Sequence, residues 1–468
     1  MIDTGGRRNE EVKKQLIAIT AAIVTAASAF LLGACSGGIS ENASVHDPSV
    51  FYDEESETYY AFGSHFAVAS STDLVNWHQV ATDGAEGQEL LYGTTDWRSV
   101  LSQSAALVGG SENTWAPDVE YYNGKYYMYY SLTRGFGGPV SVIGRVESDN
   151  VLGPYSNEVI IVDGASSTSL NKPNCIDPEL FYDKDGGLWM VYGSYYGGIY
   201  MQELYNEGEN WGLPKPDQGE FGKLVWSTPG STVVEGQFVF YNEDTGYYYL
   251  VTSYGDLSKD YNLRVARSTN PNGPYLDLSG TDVSGNSSVC NIYKLAGNYF
   301  LGDSEGIAAI GHGSIVEKDG EFFSVSHSRR EDGNGGVTPA HSMWTAKLLF
   351  NEDGWPLLTP CRYTGEEART FSNRDVAGTY DLLFFINTTT ATFEHSTEYT
   401  FNANGTIDQG GNQVGTFSVS GSYITVTLNG VDYKGALADC WNTYTDEGGA
   451  ICISAVSGLA TTIWAVSK

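Results

Sequence analysis

Residues 175–198 read CIDPELFYDKDGGLWMVYGSYYGG. An Asp-Pro pair opens a short run of apolar and aromatic residues, a turn rich in Asp and Gly follows, and a second apolar run closes at Ser194. Two runs of this kind around a Gly-containing turn predict a β-hairpin. What needs a cause is Asp177, a carboxylate at the head of a strand that otherwise reads as buried.

The same layout recurs. HDPSVFYDEESETYYAFGS begins at His46, WAPDVEYYNGKYYMYYS at Trp115, EGQFVFYNEDTGYYYLVTS at Glu235 and HGSIVEKDGEFFSVSHS at His312. The equivalent residues Asp47, Ala116, Asp177, Glu235 and His312 lie 69, 61, 58 and 77 positions apart, and each interval has room for a further strand pair. SVIGRVESDNVLGPY and NLRVARSTNPNGPY supply such outer strands. Five units of four strands predict a five-bladed β-propeller, an architecture that protects short antiparallel edges by radial repetition. A pair of β-sandwiches would not produce five similar hairpins at similar spacing. No helical pattern of useful length follows residue 35.

In a propeller the innermost strand of each blade runs beside the central channel, so equivalent residues arrive at one depth near the axis. Asp47, Ala116, Asp177, Glu235 and His312 are therefore expected to converge. Any one acid alone reads equally well as a cap on backbone amides. Three carboxylates and a histidine at equivalent positions do not, because like charges brought together in a partly desolvated cleft perturb one another's pKa.

Composition bounds the rest. The 468 residues suit two or three domains, and 57 acidic against 25 basic residues give a formal charge of −32. Such a field repels phosphate backbones and excludes nucleic acid as a natural partner. An acidic cleft also suits a neutral polymer better than a polyuronate.

The ordered motifs VHDPSVF, TWAPDV, CIDPELF, VVEG and GHGS resemble glycoside hydrolase family 43, most of all its endo-1,5-α-L-arabinanases with a C-terminal lipocalin-like domain. The resemblance covers residues 45 to 468. It implies a five-bladed propeller, hydrolysis of arabinan with inversion, Asp47 as general base, Glu235 as general acid, and Asp177 as the group that raises the acid's pKa and holds it in place. An inverting hydrolase requires that division independently: one carboxylate deprotonates a water while a protonated carboxyl on the other face of the sugar donates to the leaving oxygen. The resemblance also implies an axial metal, usually calcium, held by His312 and water. On the residues alone, His312 reads equally as a hydrogen-bonded core residue. Two departures from the family pattern stand out: Gln237 occupies the place of the usual Pro after Glu-Gly, and Cys175 a place often held by Ala.

Most of the 32 Tyr, 19 Phe and 10 Trp belong to the propeller core. Trp115, Tyr195 and Tyr196 are placed by their motifs to stack on a sugar face, and His46, Asp118 and Ser194 are further candidates for substrate binding. Two other functions remain open: an exo-acting β-xylosidase or α-L-arabinofuranosidase of the same family, and a non-catalytic glycan-binding surface lipoprotein.

At the N-terminus, Arg7, Arg8, Lys13 and Lys14 precede an apolar run from Leu16 to Leu32 that ends in LLGAC. This is an export signal, and it resembles a bacterial lipobox in which Cys35 becomes the lipidated first residue. The expected organisation is a signal peptide over 1–35, a linker over 36–44, the propeller over 45–365 and a small antiparallel barrel over 375–468, where GTYDLLFF, STEYTFNANGTI and TTIWAVSK alternate as strands. The protein is expected at the cell surface, facing the periplasm or secreted, as a monomer, touching membrane only through its lipid. Of the other cysteines, Cys175, Cys290, Cys361, Cys440 and Cys452, only Cys440 with Cys452 forms a plausible pair, against both remaining free.

Overall fold

The computed structural model describes residues 43–110, 112–136, 138–169, 172–227, 233–285, 291–388, 392–442 and 445–468. The signal segment, Cys35, most of the 36–44 linker and Cys290 lie outside the described residues.

Each expected hairpin forms the inner half of a blade. In the third blade, Glu179–Tyr182 pairs with Leu188–Ser194, followed by Gly198–Leu204 and Lys223–Trp226. Its turn closes for the reason the sequence gives. Asp183 Oδ1 accepts the amides of Asp185 and Gly187, Asp183 Oδ2 accepts the Trp189 indole N–H at 2.8 Å, and Gly186 takes the left-handed conformation (φ 83°) that a side chain resists. The first blade opens on Ser49–Asp53 and the second on Glu112–Tyr122, each with four strands.

The remaining two blades depart from five equal units. The fourth, opening on Val234–Asn242, has three strands, and isolated bridges at Leu276 stand where an outer strand was expected. The fifth, opening on Ile307–Lys318, grows to six by adding Tyr299–Phe300 and a parallel pairing to Glu394–His395 from the following segment. The five innermost strands touch in a closed cycle.

Between blades the faces pack as apolar seams. Tyr129 and Ile143 of the second blade meet Leu180, Met190 and Tyr192 of the third. Val45, Tyr59 and Ala61 at the start of the propeller meet Phe323, Val325 and Met343 at its end, and this seam closes the ring. Burial of such side chains stabilises by roughly 1.5–3 kcal/mol each, so the ring is held mainly by its seams.

Two short helices, Ala85–Tyr92 and Ser102–Val108, interrupt the all-β pattern between the first and second blades. They escaped the sequence reading because part of their support is non-local. The amides of Gln103 and Ser104, at the start of the second helix, are capped by the Glu158 carboxylate at 2.7 and 2.9 Å.

The C-terminal segment closes as an eight-stranded barrel from Gly378–Phe385 to Thr462–Ser467, whose first and last strands pair. Propeller and barrel share one apolar cluster that includes Tyr299, Phe385 and Trp464. Arg264 of the fourth blade donates to Asn387 and to the Thr388 carbonyl. Cys440 and Cys452 are both free thiols here. They lie diagonally on adjacent strands, opposite Ala450 and Ala438, instead of facing each other.

Candidate active site

Asp47 and Asp177 both adopt φ 55°, Gly236 φ 58° and His312 φ 37°. A non-glycine residue in this left-handed region is strained and persists only where its surroundings hold it. The holding groups come largely from neighbouring blades. The Asp177 amide donates to Ser131 Oγ at 2.9 Å, the His312 amide to Ser253 Oγ at 2.8 Å, and the Asp47 amide to His327 Nδ1 at 3.2 Å. Register shifts in the second, fourth and fifth blades occur at the same level, as expected where bulges re-aim side chains. Gly236 is required in the fourth blade, because a Cβ there would stand 2.8 Å from His312 Cγ.

These turns bring Asp47, Asp177, Glu235 and His312 to one cavity of about 200 Å³, with His46, Trp115 and Tyr195 also in its wall. Asp47 Oδ1 lies 3.0 Å from His312 Nδ1, and Asp47 Oδ2 accepts the Ser64 hydroxyl at 2.6 Å. Burial alone would raise the Asp47 pKa, but the adjacent His312 charge, with further help from His46, holds it well below the usual carboxylate range. Burial pushes Asp177 up to about 6, with His312 opposing and the Asp47 charge adding to the rise. Burial and then the Asp177 charge push Glu235 up to about 8. His312 is pushed the other way: burial disfavours its charge, yet Asp47, Asp177 and Glu235 outweigh this and raise it to about 9. At neutral pH the cavity thus holds an ionised Asp47, a protonated Glu235 and an imidazolium between acids.

Three of the expected site residues lie outside this wall. Asp118 is two residues deeper on its strand, and both its oxygens are taken by adjacent blades, one by the Ser49 hydroxyl at 2.6 Å and one by the Leu180 amide at 2.8 Å. Ser194 is fully buried and accepts Asn174 Nδ2 at 3.1 Å, so it orients a lining residue without lining the cavity itself. Tyr196 stands beside the cavity, its ring 4.4 Å from that of Tyr195. Cys175 is buried against Ser141, and burial pushes its thiol up to about 12, which makes it packing.

The sequence reading missed Tyr261, Phe136 and Asn174, which do line the cavity. Tyr261 donates to Glu235 Oε1 at 3.2 Å and stacks on His327 at 5.7 Å. Phe136 is 81% exposed at the rim and meets Trp115 edge-on at 5.6 Å. Asn174 is one residue upstream of the CIDPELF motif and carried no signal beyond that position.

The family model for glycosyl hydrolases family 43 matches residues 41–356, well over half of the chain. The chain belongs to glycosyl hydrolase family 43. A C-terminal lipocalin-like domain matches over residues 360–465. Extracellular endo-alpha-(1->5)-L-arabinanase 2 of Bacillus subtilis is 36% identical, over 87% of this chain and 90% of its own length. An extracellular endo-alpha-(1->5)-L-arabinanase of Thermotoga petrophila is 34% identical, over 91% and 93%. A crystal structure of endo-1,5-alpha-L-arabinanase from Thermotoga petrophila superimposes with a TM-score of 0.82 at 32% identity, covering 91% of this chain and 98% of that one.

In this family 43 chain, His312 turns Nδ1 to Asp47 at 3.0 Å, and Nε2 is the nitrogen left to meet a cation. Among the described residues, the group whose ligand atoms come within 4.8 Å of one another is His46, His327 and His341. Three imidazoles suit a borderline metal better than a hard cation that takes oxygen ligands.

Proposed function

We propose that the chain is an inverting, endo-acting hydrolase of α-1,5-linked L-arabinofuranose in arabinan, with Asp47 as general base, Glu235 as general acid and Asp177 as the group that keeps the acid protonated. The observation that carries this is the opposite displacement of two carboxyls in one cavity: Asp47 is held ionised while Glu235 is pushed up to about 8. Two titratable groups driven apart by their surroundings can serve as base and acid at one pH. Asp47 would take a proton from the attacking water as Glu235 gives one to the leaving oxygen on the other face of the ring. His312 is placed to balance the charge on Asp47, and Trp115 to stack on the sugar. Endo action on arabinan is supported by the activities named for the two relatives that span most of this chain.

Debranched linear arabinan tests the reading. A ladder of oligosaccharides is the expected product, arabinose alone would overturn endo action, and intact polymer would overturn the substrate. On the same polymer kcat/KM should be bell-shaped. It should fall as pH rises through about 8, where Glu235 loses its proton, and its acidic limb should lie below the ordinary carboxylate range, where the base Asp47 is at last protonated.

We also propose that the protein is exported, in keeping with the extracellular relatives, and acts as a monomer anchored through a lipid on Cys35; the mass of its N-terminal peptide reads that modification directly. We further propose a calcium ion on the axis, held by His312 together with water. Chelation should then lower Tm and calcium should restore it in the wild type, and His312→Gln should weaken that response. A response unchanged in His312→Gln would take the ligand role from His312.

A further inference from the structure

Gln237 follows the acid by two residues and stands where the family motif usually has Pro. Its side chain is almost fully buried, at 4% exposure. Nε2 donates to the backbone carbonyl of Asp177, whereas Oε1 has no protein partner among the described residues. The single bond to Asp177 therefore sets the orientation of the amide.

Residues at the equivalent position in other blades also tie blade to blade, but they reach elsewhere. Asp118 accepts the Leu180 amide and Glu179 the Val239 amide, each at least three residues past the axial position, while Ser314 accepts the Val50 amide and donates to the Pro48 carbonyl, one residue past it. Gln237 reaches the axial residue itself. Asp177, strained at φ 55°, is thus gripped at every polar point of its backbone: its amide by Ser131 and its carbonyl by Gln237. The Gly236 amide adds a 3.3 Å bond to its carboxylate. A proline at position 237 has no side-chain donor and could not supply the carbonyl contact.

We propose that Gln237 is a positioning residue that fixes the Asp177 peptide against the strand carrying Glu235, and so sets how strongly Asp177 keeps the acid protonated. The inference rests on the proposed roles of Glu235 and Asp177. With the grip released, the left-handed Asp177 can relax away from Glu235, and the acid loses its proton at lower pH.

Gln237→Met keeps the side-chain length and removes the donor. The alkaline limb of kcat/KM should move down by about half to one pH unit, turnover above neutrality should fall about tenfold, and KM should stay within about twofold. Gln237→Pro, also lacking the donor, should displace the limb in the same direction. A limb that stays in place in a folded variant overturns the proposal, whether or not Tm has fallen. If neither variant folds, Gln237 is a structural residue of the seam and the proposal fails too. Glu235→Gln measured alongside separates the two levels. If that variant keeps its activity, the acid assignment itself is wrong; if it is inactive and the limb still does not move, only the role of Gln237 is lost.

Discussion

Glu235→Gln is expected to lower turnover on linear arabinan by about 10³-fold, within the range a lost general acid commonly costs. The amide matches the neutral carboxyl in shape but has no proton to give the leaving oxygen. On an aryl arabinofuranoside with an activated leaving group, departure needs little protonation, so the defect should shrink to about tenfold or less. Folding should survive. Burial and Asp177 already disfavour the ionised form of Glu235, so a neutral substitute removes a penalty, and Tm should hold or rise. A variant that keeps a tenth of wild-type activity on arabinan would remove Glu235 from the acid role.

Asp47→Asn should be as damaging on arabinan, by about 10³-fold or more, and its defect should persist on the activated substrate. Both reactions need a water to be deprotonated, whatever the leaving group. Stability responds differently from the Glu235 variant. Asp47 is ionised well below its ordinary range because His312 faces it at 3.0 Å, so the asparagine leaves an imidazole among acids without its nearest counter-charge. Tm should fall, and the His312 pKa, followed by NMR, should move down from about 9. A defect that vanishes with the activated leaving group would give Asp47 and Glu235 each other's roles.

The propeller was legible because its hairpins repeat, and repetition survives where single residues mislead. The acids were legible for the same reason: equivalent places in equivalent strands fix equivalent depth, and Asp47, Asp177 and Glu235 do meet in one cavity. Position in a motif was a weaker guide one step deeper. Asp118 shares the TWAPDV motif with Trp115, but its oxygens meet two other blades before they can meet a sugar. Tyr261 could not be found from the sequence, since its bond to Glu235 depends on how the outer part of the fourth blade returns to the axis. The helix at Ser102–Val108 was hidden likewise, because its first amides are satisfied by Glu158, more than 50 residues downstream. What the chain writes locally, or writes five times, can be read from it; what depends on one contact between distant segments needs the fold.

The place of Asp177 at the head of a buried strand has its cause in that fold. It heads its strand in a strained turn, and burial, with the negative charge of Asp177 second, lets a neighbouring carboxyl keep a proton near neutral pH. The account therefore makes Asp47 a base that acts through water and never a nucleophile on the sugar. Proton NMR of the first minutes of arabinan hydrolysis tests this most directly. The new reducing end should appear first as the β-anomer, opposite to the α-linkage cleaved, with the α-anomer growing in only by mutarotation. An α-anomer that accumulates first would contradict the account.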